Sequence, residues 1–203
     1  MQAGQATAVP PAPAFKAATS VRSTSANATC TYPAGIAAGD VLTLVVYCSS
    51  SVVTATTPSG WTQALYDSTT QMTYVYKKIA DGSETGSFNV VLSNSTPKVT
   101  TIADYSGATT VEVGTLSHFS STSSVSAPSI SPASTGVLTA YYSCNSTTSV
   151  SSGPAGMTLA ADSTTSSPRQ TSYYQNNSGS PSGSKSATLS QSDTGNAFLI
   201  QVY

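Results

Sequence analysis

The chain reads as all-β: an antiparallel, jelly-roll-like β-sandwich built from two pseudo-repeats of about a hundred residues. Three observations predict it. Short runs rich in β-branched and aromatic residues alternate with Gly/Pro/Ser/Asn clusters, and no stretch carries a helical period. Roughly a third of the 203 residues are Ser or Thr while only 7% are charged, so a folded surface must be hydroxyl-rich rather than ionic. And one segment of the first half returns, weakened, in the second.

In chain order, residues 1–13 are rich in Ala, Gln and Pro, with Pro10, Pro11 and Pro13, and read as an extended N-terminal arm. Its use would be to dock on a neighbouring subunit; the plainer alternative is a loose tail. The remaining 14–203 form the sandwich domain, with pseudo-repeats at 14–105 and 111–203. The short link at 106–110 favours one shared core over two domains.

Strands are expected at 15–22 and 26–32. Gly39 and Asp40 end a turn before Val41–Cys48, an eight-residue run apolar on both faces: Leu42, Leu44, Val46 and Cys48 on one, Val41, Val45 and Tyr47 on the other. Such a strand belongs in the interior of a sheet covered on two sides. A turn at Pro58, Ser59 and Gly60 follows, and Trp61, the only Trp, is expected to plug one end of the core. Further strands are expected at 72–78, 87–92, 99–105 and 111–116, and in the second half at 125–130, 136–144, 157–161, 171–175, 186–189 and 197–203. The stretch 163–184, rich in Ser, Gly and Asn, is expected to be a hairpin bearing a long exposed loop.

The internal copy carries the repeat. Leu42 corresponds to Leu138, Tyr47 to Ser143 and Cys48 to Cys144, and Pro58-Ser-Gly-Trp-Thr62 falls on Pro154-Ala-Gly-Met-Thr158 at the same offset. Leu92 and Ser93 then find Leu189 and Ser190, and both final strands end on Tyr. Cys30, Cys48 and Cys144 are odd in number, so no complete disulfide framework exists. Cys48 and Cys144 either pair through the duplication or are small buried side chains.

The chemistry is sparse. A net charge of −1 with seven Lys plus Arg gives no basic footprint for nucleic acid or an anionic membrane. No run is long enough for a membrane helix. Residues 1–14 lack the charged start and apolar core of a secretion signal, so the protein acts where it is made or leaves by another route, such as inside an assembled particle. The one His, His118, lies in a Ser-rich connector with no Gly-x-Ser-x-Gly elbow elsewhere, and a solvated side chain is expected. Asp81 and Glu84 read as turn residues rather than a catalytic pair or half a Ca²⁺ loop. No spacing suits zinc. No enzyme activity, catalytic residue, cofactor or metal is expected. The Tyr141-Tyr142 and Tyr173-Tyr174 pairs each should present one ring outward, and Tyr173, Tyr174, Asn176 and Asn177 together suit sugar stacking or a protein interface; the alternative is that these rings only fill the sheet rim.

Pro-Ala-Gly-Ile-Ala-Ala-Gly-Asp-Val-Leu, then Pro-Ser-Gly-Trp-Thr, then Tyr-Val-Tyr-Lys-Lys-Ile-Ala-Asp-Gly, with Pro154-Ala-Gly-Met157 in the second half, resembles a diffuse family of tailed-phage and prophage virion accessory β-sandwich proteins. The resemblance spans residues 15–203 and specifies a scaffold with no active site. It implies a capsid decoration or cement protein, a head fibre, or a tail-fibre or adhesin part. The expectation is a non-enzymatic structural protein on the outer surface of a phage particle. Its partners would be the major capsid protein or other virion proteins, with homo-oligomers on the particle. The alternative is a host-attachment module binding surface polysaccharide.

Overall fold

The computed structural model describes residues 11–163 and 166–203, and for Asn177 the backbone alone. Residues 1–10 of the arm, Pro10 included, lie outside the described residues, as do residues 164 and 165. Fourteen strands and no helix are described. The first half contributes β1 (Ala14–Ser23), β2 (Asn27–Thr31), β3 (Val41–Cys48), β4 (Thr62–Asp67), β5 (Met72–Ile79), β6 (Ser87–Val91) and β7 (Lys98–Ser106). The second contributes β8 (Val111–Val113), β9 (Ser117–Ala127), β10 (Gly136–Cys144), β11 (Val150–Ser152), β12 (Thr158–Asp162), β13 (Arg169–Ser178) and β14 (Lys185–Val202).

Every strand pairing is antiparallel. The first large sheet runs β1-β7-β3-β5-β4, and the second runs β14-β10-β13-β12 with β8, β9 and β11 also on β14. A two-stranded ribbon, β2-β6, completes the first half. Each large sheet is thus drawn from one half of the chain. A jelly roll instead interleaves distant strands in both of its sheets, and that interleaving between halves is not what the pairing shows. Corresponding segments hold corresponding places: β3 and β10 are central, each flanked by a final strand (β7, β14) and by β5 or β13. Leu92 bridges Ala55 as Leu189 pairs Val150.

The packing follows from the two apolar faces of β3 and β10. Leu42, Leu44, Val46 and Cys48 point outward into a cluster closed by Ala28, Cys30 and Val90 of the β2-β6 ribbon. Val41 and Val45, with Val75, Ala103 and Tyr105, point inward against Val137, Tyr141, Phe198, Ile200 and Val202 of the second sheet. Leu138, Ala140, Tyr142 and Cys144 point outward again, under Val125, Ala127, Ala187 and Leu189 from β9 and the start of β14. Four layers therefore enclose three apolar clusters, and the middle cluster is built by both halves. Buried side chains cross that middle seam: Tyr105 and Thr139 share a hydroxyl hydrogen bond (2.7 Å), Thr101 donates to Gln170 (2.6 Å), and Asn196 donates to Thr73 (2.8 Å). Polar groups placed inside must be paired, and these pairs fix how the sheets register.

Trp61 is buried and stacks with Phe88 and Tyr32 at the end of the first outer cluster, the plug its position predicts. All three cysteines are free and buried. Cys48 and Cys144 lie in the two outer clusters, facing away from one another, so the strand equivalence does not bring them together. Burial pushes each thiol up to about 12, leaving it a neutral packing group.

The strand list departs from expectation in four places. β4 and β11 were not anticipated. Residues 186–189 and 197–203 belong to one 18-residue strand, β14, whose register is broken between Thr188 and Gly195. The Ser-rich run before Ala127 is not a connector: Ser117–Ala127 is a strand, because β14 supplies its backbone partners. And the stretch 163–184, expected to bear one long loop, is divided by a strand, since Arg169–Ser178 is held between β10 and β12.

Candidate interaction site

Half of the tyrosine patch, Tyr174 and Asn176, meets the chain at Phe15, just after the arm. Pro11 and Ala12 lie against Gly107 at the connector between the halves. Pro11 is exposed and Pro13 half-buried, and β1 starts at Ala14 opposite Ser106. The Phe15 ring then stacks on Tyr174 (centroids 4.0 Å apart, planes 16° from parallel), and the Phe15 amide donates to Asn176 Oδ1 (3.2 Å). Phe15 also meets Tyr105 edge-on at 5.9 Å. Tyr174 and Asn176 project from β13 because that strand is extended and alternates its faces, putting both on the side of the first sheet.

Tyr173 points the other way. Its ring meets Tyr142 edge-on (6.3 Å) and covers Gly153, where a Cβ would stand 2.4 Å from a ring carbon. Burial raises its hydroxyl pKa, with the Asp162 carboxylate adding to the rise. So neither ring is free on both faces. Asn177 carries no described side chain.

His118 is not the solvated connector residue expected. It sits on β9 opposite Asn196, with Nε2 3.3 Å from Asp67 Oδ1 and Nδ1 3.1 Å from Thr70 Oγ1. The three residues link the end of β4 and the turn after it to the second half. Thr70 Oγ1 also donates to Gln71 (2.8 Å), which occupies its proton. The Asp81–Glu84 segment closes on itself: the Asp81 and Gly82 amides donate to Glu84 (3.1 and 2.9 Å), and Lys78 Nζ lies 2.7 Å from the same carboxylate. Burial raises the Glu84 pKa, but Lys78 and the backbone amides outweigh it, and the net shift is downward. A folded-state pKa below the unfolded one stabilises above the ordinary carboxylate range and stops doing so as pH falls through the depressed value. Glu84→Gln is therefore expected to cost about 1–3 kcal/mol at pH 7. The cost should fade on acidification below about pH 4, read as urea midpoints for both chains across that range.

Among the described residues no three metal-ligating side chains converge. Clefts among the described residues are shallow. One of about 170 Å³ lies between Gly60, Lys77, Ile79 and Val111, and one of about 390 Å³ lies beside Tyr32, Ile36 and Glu84. One group was not foreseen at all: Lys16, on β1, reaches Asp40 and Asp104 (3.3 Å to the latter). The available signal was scarcity, since a chain with seven cations and eight acids seldom gathers three charges by accident.

Comparison with protein-family models, curated proteins and solved structures finds no match. What the fold defines is a class: an all-β, antiparallel β-sandwich protein.

Proposed function

We propose that this chain is a non-enzymatic structural protein of a phage virion, a decoration or cement protein that binds the outer capsid surface through its N-terminal arm. The observation that carries this is the anchored arm root. Phe15 is stacked on Tyr174 and bonded to Asn176, and Pro11 and Ala12 lie against Gly107, so the root of the arm holds a defined place on the body. A tether with a fixed root loses less orientational freedom on docking than a loose tail. The same contacts weigh against the polysaccharide alternative, because Tyr173 and Tyr174 each spend a ring face inside the protein. The matching strand orders of the halves support a duplicated scaffold, which would widen the body that a lattice site must hold.

The test is co-sedimentation of the purified chain with phage capsids and, separately, with host cells. Saturable capsid binding that disappears on removing residues 1–13, with no binding to cells, is the expected result. Binding to cells that free polysaccharide competes away would replace decoration with attachment.

A further inference from the structure

Lys16 is the extra residue of a β-bulge. Phe15 faces Tyr105 and Ala17 faces Asp104, leaving Lys16 without a rung of its own. Bulges re-aim side chains, and this one sends the Lys16 Nζ across β7. There it meets the Gly35 carbonyl (2.6 Å), an Asp40 oxygen in closer contact still, and Asp104 Oδ2 at 3.3 Å. Asp40 is held in place by accepting the Ala37 amide (2.7 Å).

Asp104 is the unusual member. It is fully buried, and neither of its oxygens has a hydrogen-bond partner among the described residues. A carboxylate that only had to complete an ion pair would be costly in this form. The equivalent position in the second half is partly satisfied: Gln201 pairs Leu138 as Asp104 pairs Leu42, and its Nε2 donates to the carbonyls of Ser134 (2.9 Å) and Ser178 (3.2 Å), while its Oε1 has no partner among the described residues.

Burial of a carboxyl disfavours its anion and so raises the share present as the neutral acid, which is the electrophilic form. Burial first, then the Asp40 carboxylate, push Asp104 up to about 6, with Lys16 opposing. Asp40 stays in contact with the lysine and is placed to take its proton. We propose that Lys16 and Asp104 condense into an intramolecular isopeptide bond, with Asp40 as the proton-transfer group. Asp40 accepts a proton from the Lys16 ammonium, and the freed amine attacks Cγ of the Asp104 carboxylic acid. The C–N bond forms, and Asp40 returns its proton to the departing hydroxyl, which leaves as water. The amide nitrogen's surplus proton then passes to Asp40. No oxidant or co-reactant enters. Amide formation is unfavourable between free partners in water, but oriented groups in a fold react with effective molarities on the order of 10⁵ M or more. The bond would weld the edge strand β1 to β7, independently of what the arm binds.

Intact-mass measurement of the purified full chain, unfolded for analysis after prolonged incubation folded, decides it. The expected mass is lower than the sequence sum by one water, and protease digestion should yield a single branched peptide carrying Lys16 and Asp104. Lys16→Arg and Asp104→Ala should each restore the full mass, Asp40→Ala should slow or abolish the loss, and Lys77→Arg should leave it intact. Wild-type chain at full mass would overturn the proposal. So would a water loss that survives Lys16→Arg, which would point instead to a succinimide at Asp81-Gly82. The wild-type mass needs no variant to fold, and its outcome is separate from capsid binding.

Discussion

Gly195→Ala is expected to destabilise the second sheet by at least about 3 kcal/mol, near the upper end of single-residue effects. Gly195 lies where β14 changes partners, opposite Cys144 on one side and Phe119 on the other. A Cβ there would stand 1.8 Å from the Ser143 carbonyl oxygen and 2.9 Å from the Phe119 ring. The ring can give way; the carbonyl belongs to the central strand and cannot move without opening the β10–β14 ladder. Thermal or urea unfolding of the variant measures this, and a midpoint within error of wild type would show that the strands do not approach so closely.

Phe198→Ala is expected to cost about 3–5 kcal/mol, the range for emptying a buried aromatic site. Phe198 is fully buried in the middle cluster and stacks on Tyr141, its direct cross-strand neighbour, at 5.2 Å. The cavity would open between the two sheets, where neither half can close it alone. Loss of cooperativity should accompany the loss of stability: if the halves share one core, wild type unfolds in a single transition and the variant separates it into two. A small effect, below about 1 kcal/mol, would mean the sheets hardly depend on their contact.

Much of the fold was legible because its strongest signals are local. Val41–Cys48 is apolar on both faces, and a strand of that kind has to be covered twice; its counterpart Gly136–Cys144 is equally buried. What failed was also local in cause. Thr62–Asp67 is an edge strand with an exposed, mixed pattern, so nothing in TQALYD announces it. The SQSDTG run inside β14 has the composition of a turn, and the break in register absorbs it within one strand. Ser117–Ala127 takes its extended form from β14 rather than from its own propensity. The candidate site was harder still. Proline in the arm and the Tyr173-Tyr174 pair were each visible, but the bond from Phe15 to Asn176 joins residues 161 positions apart and depends on the packing of the two halves. Lys16 was invisible as a site because a bulge, which no sequence pattern marks, decides where its side chain goes.

The first rung of the β1–β7 ladder, Ala14 opposite Ser106, sits where the arm joins the body. A load applied through the arm and directed away from the sheet would peel β1 from β7 rung by rung, a weak geometry for any molecule anchored by its end. The Phe15–Tyr174 stack is the first obstacle to such peeling, and Lys16, gripped by Asp40 and Asp104, is the second. Three of the few charges this chain possesses, Lys16, Asp40 and Asp104, thus meet where a pulled thread would otherwise begin to run.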